Sequence, residues 1–197
     1  MQFDEEARGF SLKKEGPLDM RMDLREEITA ADVVNTFSEE KLGEIFRDFG
    51  EESHWKKGAR AIVQERKKKK LTTTMQLSRL IERALPIGRK KARRHRATKI
   101  FQALRIYVNR ELECLKESLG KTLQNLSSKG RLGVLSFHSL EDRIVKTVFK
   151  DSSRLINSID AQAIFSLLTK KPKSPSMEER KRNRRSRSAK LRFIEKK

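Results

Sequence analysis

The sequence predicts an α/β protein in which a helical block precedes the tail of a sheet. Three observations carry this. Residues 25–85 show only helix signals. Phe101, Leu104, Val108, Leu112, Leu115, Leu119, Leu123 and Leu126 recur every three or four positions, the period of an amphipathic helix. Finally, Gly130 to Lys146 (GRLGVLSFHSLEDRIVK) passes from an apolar strand-like run through a polar turn into a helix pattern.

Taken in order, Thr29 is expected to cap a short helix through Asn35. Ser38 caps a second, whose first turn carries Glu39 and Glu40 against the positive end of the helix dipole. Gly50 is expected to end it. A third helix covers residues 51–68, and the Thr72–Thr74 cluster opens a fourth that stops before Pro86. The long amphipathic stretch predicts one helix from Thr98 to Leu126, about 44 Å if unbroken, with Gly120 as the point where it bends or sheds its last turn. Leu132–Phe137 then reads as a buried parallel strand, Leu140–Phe149 as a helix, and Phe165–Leu168 and Ala189–Ile194 as late strands, with 172–176 a loop. Residues 152–163 fit neither pattern. Two late strands are too few to flank a buried parallel strand, so the order predicts the end of a sheet whose beginning lies upstream.

Ligands in open α/β sheets bind outside the carboxyl ends of the strands, which places Ser136, His138, Ser139, Glu141, Asp142 and Arg143 where a site belongs. One reading makes this a capped helix start: Ser139 as N-cap, Glu141 and Asp142 in the first turn, Arg143 in a local ion pair. The other puts Ser136 and His138 at a pocket edge. A second segment, Gly16–Asp23 (GPLDMRMD), alternates Leu18, Met20 and Met22 with Asp19, Arg21 and Asp23, as a half-buried strand does. It is either a linker pinned by an Arg–Asp pair or a pocket wall with Arg8 and Arg21 near a phosphate or base. Cys114, within the long helix, is expected to pack rather than react. Three scattered histidines and one cysteine give no metal-ligand spacing, so no metal site is expected.

Charge is the strongest compositional signal. The 197 residues carry 47 Lys and Arg against 27 Asp and Glu, a formal charge of +20. The excess lies in three runs free of acidic residues, Arg66–Lys70, Arg89–Arg96 and Arg180–Lys190; outside them the chain is nearly neutral. Such clustering marks a surface for a polyanion, with nucleic acid ahead of a membrane because the runs lack interleaved Leu, Phe and Trp. Arg89, Lys90, Lys91, Arg93, Arg94, Arg184, Arg185 and Arg187 are the expected phosphate contacts; without aromatic neighbours for base stacking they read as backbone binders. No apolar run approaches the roughly 20 residues of a membrane-spanning helix, and the acidic start MQFDEEARGF is no signal peptide. A cytoplasmic protein with no membrane partner is expected, and one cysteine excludes an internal disulfide.

Four collinear stretches carry a resemblance: GPLDMRMD (16–23), HRATKIFQALRIYVNREL (95–112), SFHSLEDRIVK (136–146), and LTKKP followed by NRRSRSAKLR (168–192). Together they resemble the RsmH/MraW family of 16S ribosomal RNA cytosine-N4 methyltransferases, and the match runs over nearly the whole chain. The resemblance implies a Rossmann-like methyltransferase sheet interrupted by a helical substrate-recognition insertion. It further implies transfer of a methyl group from S-adenosylmethionine to the exocyclic amine of a cytidine in small-subunit ribosomal RNA. On this basis residues 1–24 are a remnant of the methyltransferase domain and pocket segment, 25–97 the insertion, and 98–197 the C-terminal part of the methyltransferase domain.

The family's cofactor half, with its glycine-rich loop GTxGRGGHS and a strand ending in DLGVSS, has no counterpart here. No G-x-G occurs among the nine glycines. MQFDEEARGF aligns with the family's stretch just after DLGVSS, so Gln2 is the one cofactor-contacting position that carries over. The expectation is therefore the C-terminal portion of an enzyme, created by a gene split, a frameshift or a late start codon, with an adjacent reading frame as the candidate source of its N-terminal half. The alternative is a non-catalytic basic RNA-binding module left after loss of the cofactor half.

Overall fold

The computed structural model describes residues 8–12, 14–86, 95–155 and 164–197. The chain divides into two compact units, Met1–Glu111 and Leu112–Lys197.

The first unit is helical: α1 (Ala30–Thr36), α2 (Glu39–Asp48), α3 (Trp55–Arg66), α4 (Thr74–Ala84) and α5 (Thr98–Val108). The starts of α1, α2 and α4 are locally encoded. The Thr29 hydroxyl accepts from Asp32 N while the Asp32 carboxylate accepts from Thr29 N, and Thr73 and Gln76 repeat the same reciprocal cap on α4. Ser38 caps α2 by accepting from Lys41 N at 3.1 Å. One apolar face of each helix is buried. Phe46, Ile62, Ile81, Ile100 and Leu104 are fully enclosed in a single cluster, each contributing about 1.5–3 kcal/mol relative to exposure.

The structure differs from the sequence reading of this unit at four points. The long helix breaks at Asn109–Arg110, not at Gly120, and resumes as α6 (Glu111–Gln124). Asn109 turns its amide away from continued helix: Nδ2 donates to Met20 O and Arg105 O, both at 2.8 Å, and Oδ1 accepts from Met22 N at 2.6 Å. Arg110 then takes φ +48°, a left-handed residue no α-helix can contain. Gly50 follows α2 but is not its left-handed stop. Glu51 holds that conformation at φ +47°, and Gly50 is required because a Cβ there would lie 2.6 Å from Lys99 O. α3 accordingly begins at Trp55 rather than 51. Residues 16–23 form no strand. Leu18 and Met20 are buried at 1% exposure, but the alternation stops at Met22, which is no more buried than Arg21 and Asp23; Met20 sits at φ +64°, and the one ladder contact is a bridge between Pro17 and Thr73.

The second unit packs α6, β1 (Arg131–Ser136), α7 (Ser139–Ser152), β2 (Phe165–Leu167), α8 (Met177–Arg182), a 3-10 turn over Arg184–Ser188, and β3 (Lys190–Lys196). The strand order is β1-β3-β2, and both pairings are antiparallel, from Arg131 opposite Glu195 to Ser136 opposite Lys190. The expectation of a buried parallel strand is thus corrected. Within this sheet β1 is an edge strand, half-exposed, and Leu135 is 53% exposed. The reason is topological: the chain's last strand returns alongside β1 in the opposite direction, a pairing that needs no crossover. Leu119 and Leu123 of α6 cluster with Val145 and Phe149 of α7, Phe165 of β2 and Ile194 of β3. α8 was not foreseen; Ser176 caps it by accepting from Glu179 N at 3.1 Å. Among the described residues, no helix is long and apolar enough to cross a membrane.

Candidate functional site

The end of β1 gathers the polar residues singled out from the sequence, and Ser136, His138, Glu141 and Asp142 have partners within the second unit. Ser136, 4% exposed, donates its hydroxyl to Lys190 O at 3.3 Å. The N-cap of α7 is His138, not Ser139, which becomes the first helical residue. His138 can do this because its imidazole Nδ1 accepts from Glu141 N at 3.4 Å, a role normally filled by a hydroxyl or carboxylate. The network therefore assigns the ring proton to Nε2, which is buried and faces Glu141 Oε1 at 3.2 Å, off the angle of a hydrogen bond. Glu141 closes the cap by accepting from Phe137 N at 2.6 Å and His138 N at 3.1 Å. Burial pushes the Glu141 carboxyl up, but the His138 interaction and these backbone donors together hold it below its ordinary value.

Asp142 points the other way. Its carboxylate takes Arg192 Nε at 2.8 Å, Arg192 Nη2 at 3.1 Å and Lys190 Nζ at 3.1 Å. Burial raises its pKa, and the two cations more than offset that, leaving it below the usual carboxylate range. Arg192 is itself buried, so this is an ion cluster joining α7 to β3 rather than a surface pair. Both partners escaped the sequence reading. The signal was there: Lys190 and Arg192 alternate with Leu191 and Phe193, which puts two cations on one face of a strand.

In the first unit, Asp19 and Arg21 form a bidentate pair at 2.8 Å, and Arg21 Nη1 also donates to Glu26 O at 2.7 Å. That pair holds the Asp19 carboxyl below its ordinary value. Asp23 pairs with Arg25 at 2.6 Å, and the Arg25 hydrogen bonds lower its pKa to about 2. Arg8 Nη1 donates to Met22 O at 3.4 Å. These contacts pin 16–23 by local Arg–Asp pairs, and Asn109, absent from the sequence-derived set, supplies the anchor described above. Cys114 is exposed on α6, which corrects the expectation that it packs. The helix presents Leu115 and Leu119 to the interior instead.

The basic runs differ. Lys67–Lys70 are exposed after α3, while Arg66 Nη1 donates to Val34 O at 2.8 Å. Arg184, Arg185 and Arg187 are exposed on the 3-10 turn, and Ser186 between them is buried. Gln2 and Arg89, Lys90, Lys91, Arg93 and Arg94 lie outside the described residues.

The family model of the MraW methylase family matches residues 1–197. Among curated relatives, the chain is 47% identical to ribosomal RNA small subunit methyltransferase H of Protochlamydia amoebophila, over 99% of this chain and 64% of that protein. The proteins of the same name from Cyanothece sp. and Acidobacterium capsulatum are 49% and 48% identical, over 98% and 100% of this chain and 61% and 63% of their own lengths. The chain thus spans a little under two thirds of the relatives it matches. A full-length family match and near-half identity along the whole chain lead to one conclusion: this chain belongs to the MraW methylase family.

Proposed function

We propose that this chain forms the RNA-facing part of a cytoplasmic, S-adenosylmethionine-dependent enzyme that methylates N4 of a cytidine in 16S-type ribosomal RNA. Its sheet is the C-terminal part of a Rossmann-like sheet, with residues 25–97 as the helical insertion. The observation that carries the reading is the family membership over all 197 residues, shared with relatives named ribosomal RNA small subunit methyltransferases. The charge distribution supports it: exposed cations on the 3-10 turn and after α3 suit a phosphate backbone.

The described residues do not by themselves fit S-adenosylmethionine. At the end of β1 the side chains of Ser136, His138, Glu141 and Asp142 all engage neighbours in their own unit, and no glycine-rich turn approaches them. Ser136 and His138 are accordingly proposed as a wall of the acceptor pocket, with Asp142 and Glu141 fixing the backbone that carries them. Arg8, Asp19, Arg21 and Asp23 form a second RNA-side segment. The glycine-rich loop and the strand end that orients the amine are supplied by sequence outside these residues. The same observation favours the second reading, a non-catalytic RNA-binding module.

The test is to titrate S-adenosylmethionine into the purified chain, then to assay methyl transfer to 16S ribosomal RNA with and without an added fragment bearing a relative's glycine-rich loop. No saturation by the chain alone is expected, together with N4-methylcytidine, read by nucleoside mass spectrometry, only when the fragment is present. RNA binding without methylation in the mixture would select the binding module. A methylated product at another atom would overturn the cytosine-N4 assignment.

A further inference from the structure

A groove of about 210 Å³ runs over the first unit, lined by Lys69, Lys70, Arg79 and Arg83 with Leu71 and Met75, and with Glu15 and Glu65 also in its wall. It joins the turn after α3 to one face of α4. Arg79 and Arg83 are one helical turn apart, so their guanidinium groups project from the same side of α4. Met75, a further turn back, extends that side toward the helix start. Among the described residues, none of the four cations is paired with a carboxylate, although two glutamates share the wall. Gln76 Oε1 is consumed by Thr72 N and Thr73 N, at 2.8 and 3.1 Å, which leaves its amide nitrogen as the donor in the lining.

Unpaired cations gathered in a concavity keep an unfavourable mutual repulsion that an anion relieves. The size narrows the anion. Pockets that enclose a small molecule run to roughly 300–1,000 Å³, so a smaller open groove suits a chain passing through better than a ligand held inside. Two arginines offering paired donors match phosphate oxygens, two lysines add point charge, and Met75 gives the floor an apolar contact for a ribose or base.

We propose that this groove is an anchoring site for the sugar–phosphate backbone of single-stranded RNA, on the helical unit and separate from the end of β1. Arg79 and Arg83 take two successive phosphates, and Lys69 and Lys70 flank them. The proposal rests on the reading of the chain as an RNA-modifying protein; it adds where that RNA is held.

The experiment compares the intact chain with two double variants of equal charge change, R79Q/R83Q in the groove and K116Q/K121Q on α6. The probe is a mixed-sequence single-stranded RNA 30-mer, titrated across a salt series, with circular dichroism melts to verify folding. R79Q/R83Q is expected to weaken binding about tenfold at about 0.1 M salt, and to reduce the slope of log affinity against log salt by roughly 1.4, the value for two lost phosphate contacts. K116Q/K121Q should stay within about twofold of the parent. If the parent binds RNA and R79Q/R83Q binds equally well, or if both pairs lose affinity alike, the groove is overturned while the RNA reading stands. A parent that binds no RNA overturns both. Anionic phospholipid vesicles that bind more tightly than RNA, and lose binding in R79Q/R83Q, would reassign the groove to a membrane surface.

Discussion

The two units hold themselves together in different ways. The first closes a broad apolar cluster from Leu18 to Val108, and its capping hydrogen bonds join residues three apart in the chain. The second has a small apolar cluster around Val145, Phe149 and Ile194. It supplements this with a buried ion cluster whose members, Asp142 and Arg192, are 50 residues apart. A large apolar core makes stability chiefly a matter of packing; the lowered carboxyls of the first unit, Asp19 and Asp23 among them, pair at exposed or partly exposed positions where solvent weakens their contribution. A small core that leans on buried charge makes it a matter of protonation as well. The first unit should therefore be fragile to cavities, and the second to anything that unpairs Asp142.

The largest expected effects come from emptying each core. Phe46 is 0% and Phe149 1% exposed, and replacing either with alanine should cost about 3–5 kcal/mol. The consequences should differ. In differential scanning calorimetry Phe46→Ala is expected to lower one transition while leaving it cooperative. Phe149→Ala removes one of the two buried phenylalanines of the smaller cluster, the more fully enclosed one, and should abolish a separate transition. Equal shifts in a single shared transition would break the comparison.

Next in size is Asp142→Asn, which leaves Arg192 buried without its carboxylate. Because Lys190 is partly exposed, the loss should fall near the lower end of the roughly 3–5 kcal/mol for a broken buried pair. The same groups set a pH dependence. Both Glu141 and Asp142 titrate below their ordinary values in the folded unit. Their contribution is complete above the unfolded carboxylate range and is lost as pH falls through the depressed folded values, that is, below about pH 4. Melts from pH 6 to pH 2 should show the second unit failing first, and Asp142→Asn should flatten that dependence. A first unit that fails at higher pH than the second would reverse the assignment.

This contrast also marks what could be read from the sequence. Thr29, Ser38 and the Thr72–Thr74 cluster were legible as helix starts because the capping partners lie three residues on, and the apolar face running through α5 and α6 was legible as a period. Asn109 was not, because its side chain is bonded to Met20 and Met22, 89 and 87 residues away. Nothing in NREL distinguishes a helix break from another helical turn until those partners are in place. For Arg192 the strand alternation was legible, but its partner Asp142, 50 residues away, was not. At the candidate site, the strand-to-helix switch located Ser136, His138, Glu141 and Asp142 together. The cap slipped by one residue because serine is the commoner acceptor, whereas here the imidazole Nδ1 does the work.

The smallest effects give the sharpest comparison, because they involve one methyl group and opposite signs. Gly43 lies within α2, where a Cβ would meet Trp55 Cε3 and Cζ3, both at 2.7 Å. The clashing atoms belong to a rigid indole packed against the first unit's apolar cluster, so relieving the contact has to displace Trp55 from that packing. Gly43→Ala should thus overpack the first unit and destabilise it by about 1–3 kcal/mol. Gly120 lies within α6 with nothing inside 4 Å of the corresponding position. There the added methyl meets no obstacle and removes backbone freedom from the unfolded chain, so Gly120→Ala should stabilise the second unit by about 0.5–1 kcal/mol. Denaturant midpoints measured at constant m-value read both changes. If Gly120→Ala destabilises instead, α6 is not the open, continuous helix described here, and the break at Asn109–Arg110 would have to be shared with a second one at Gly120.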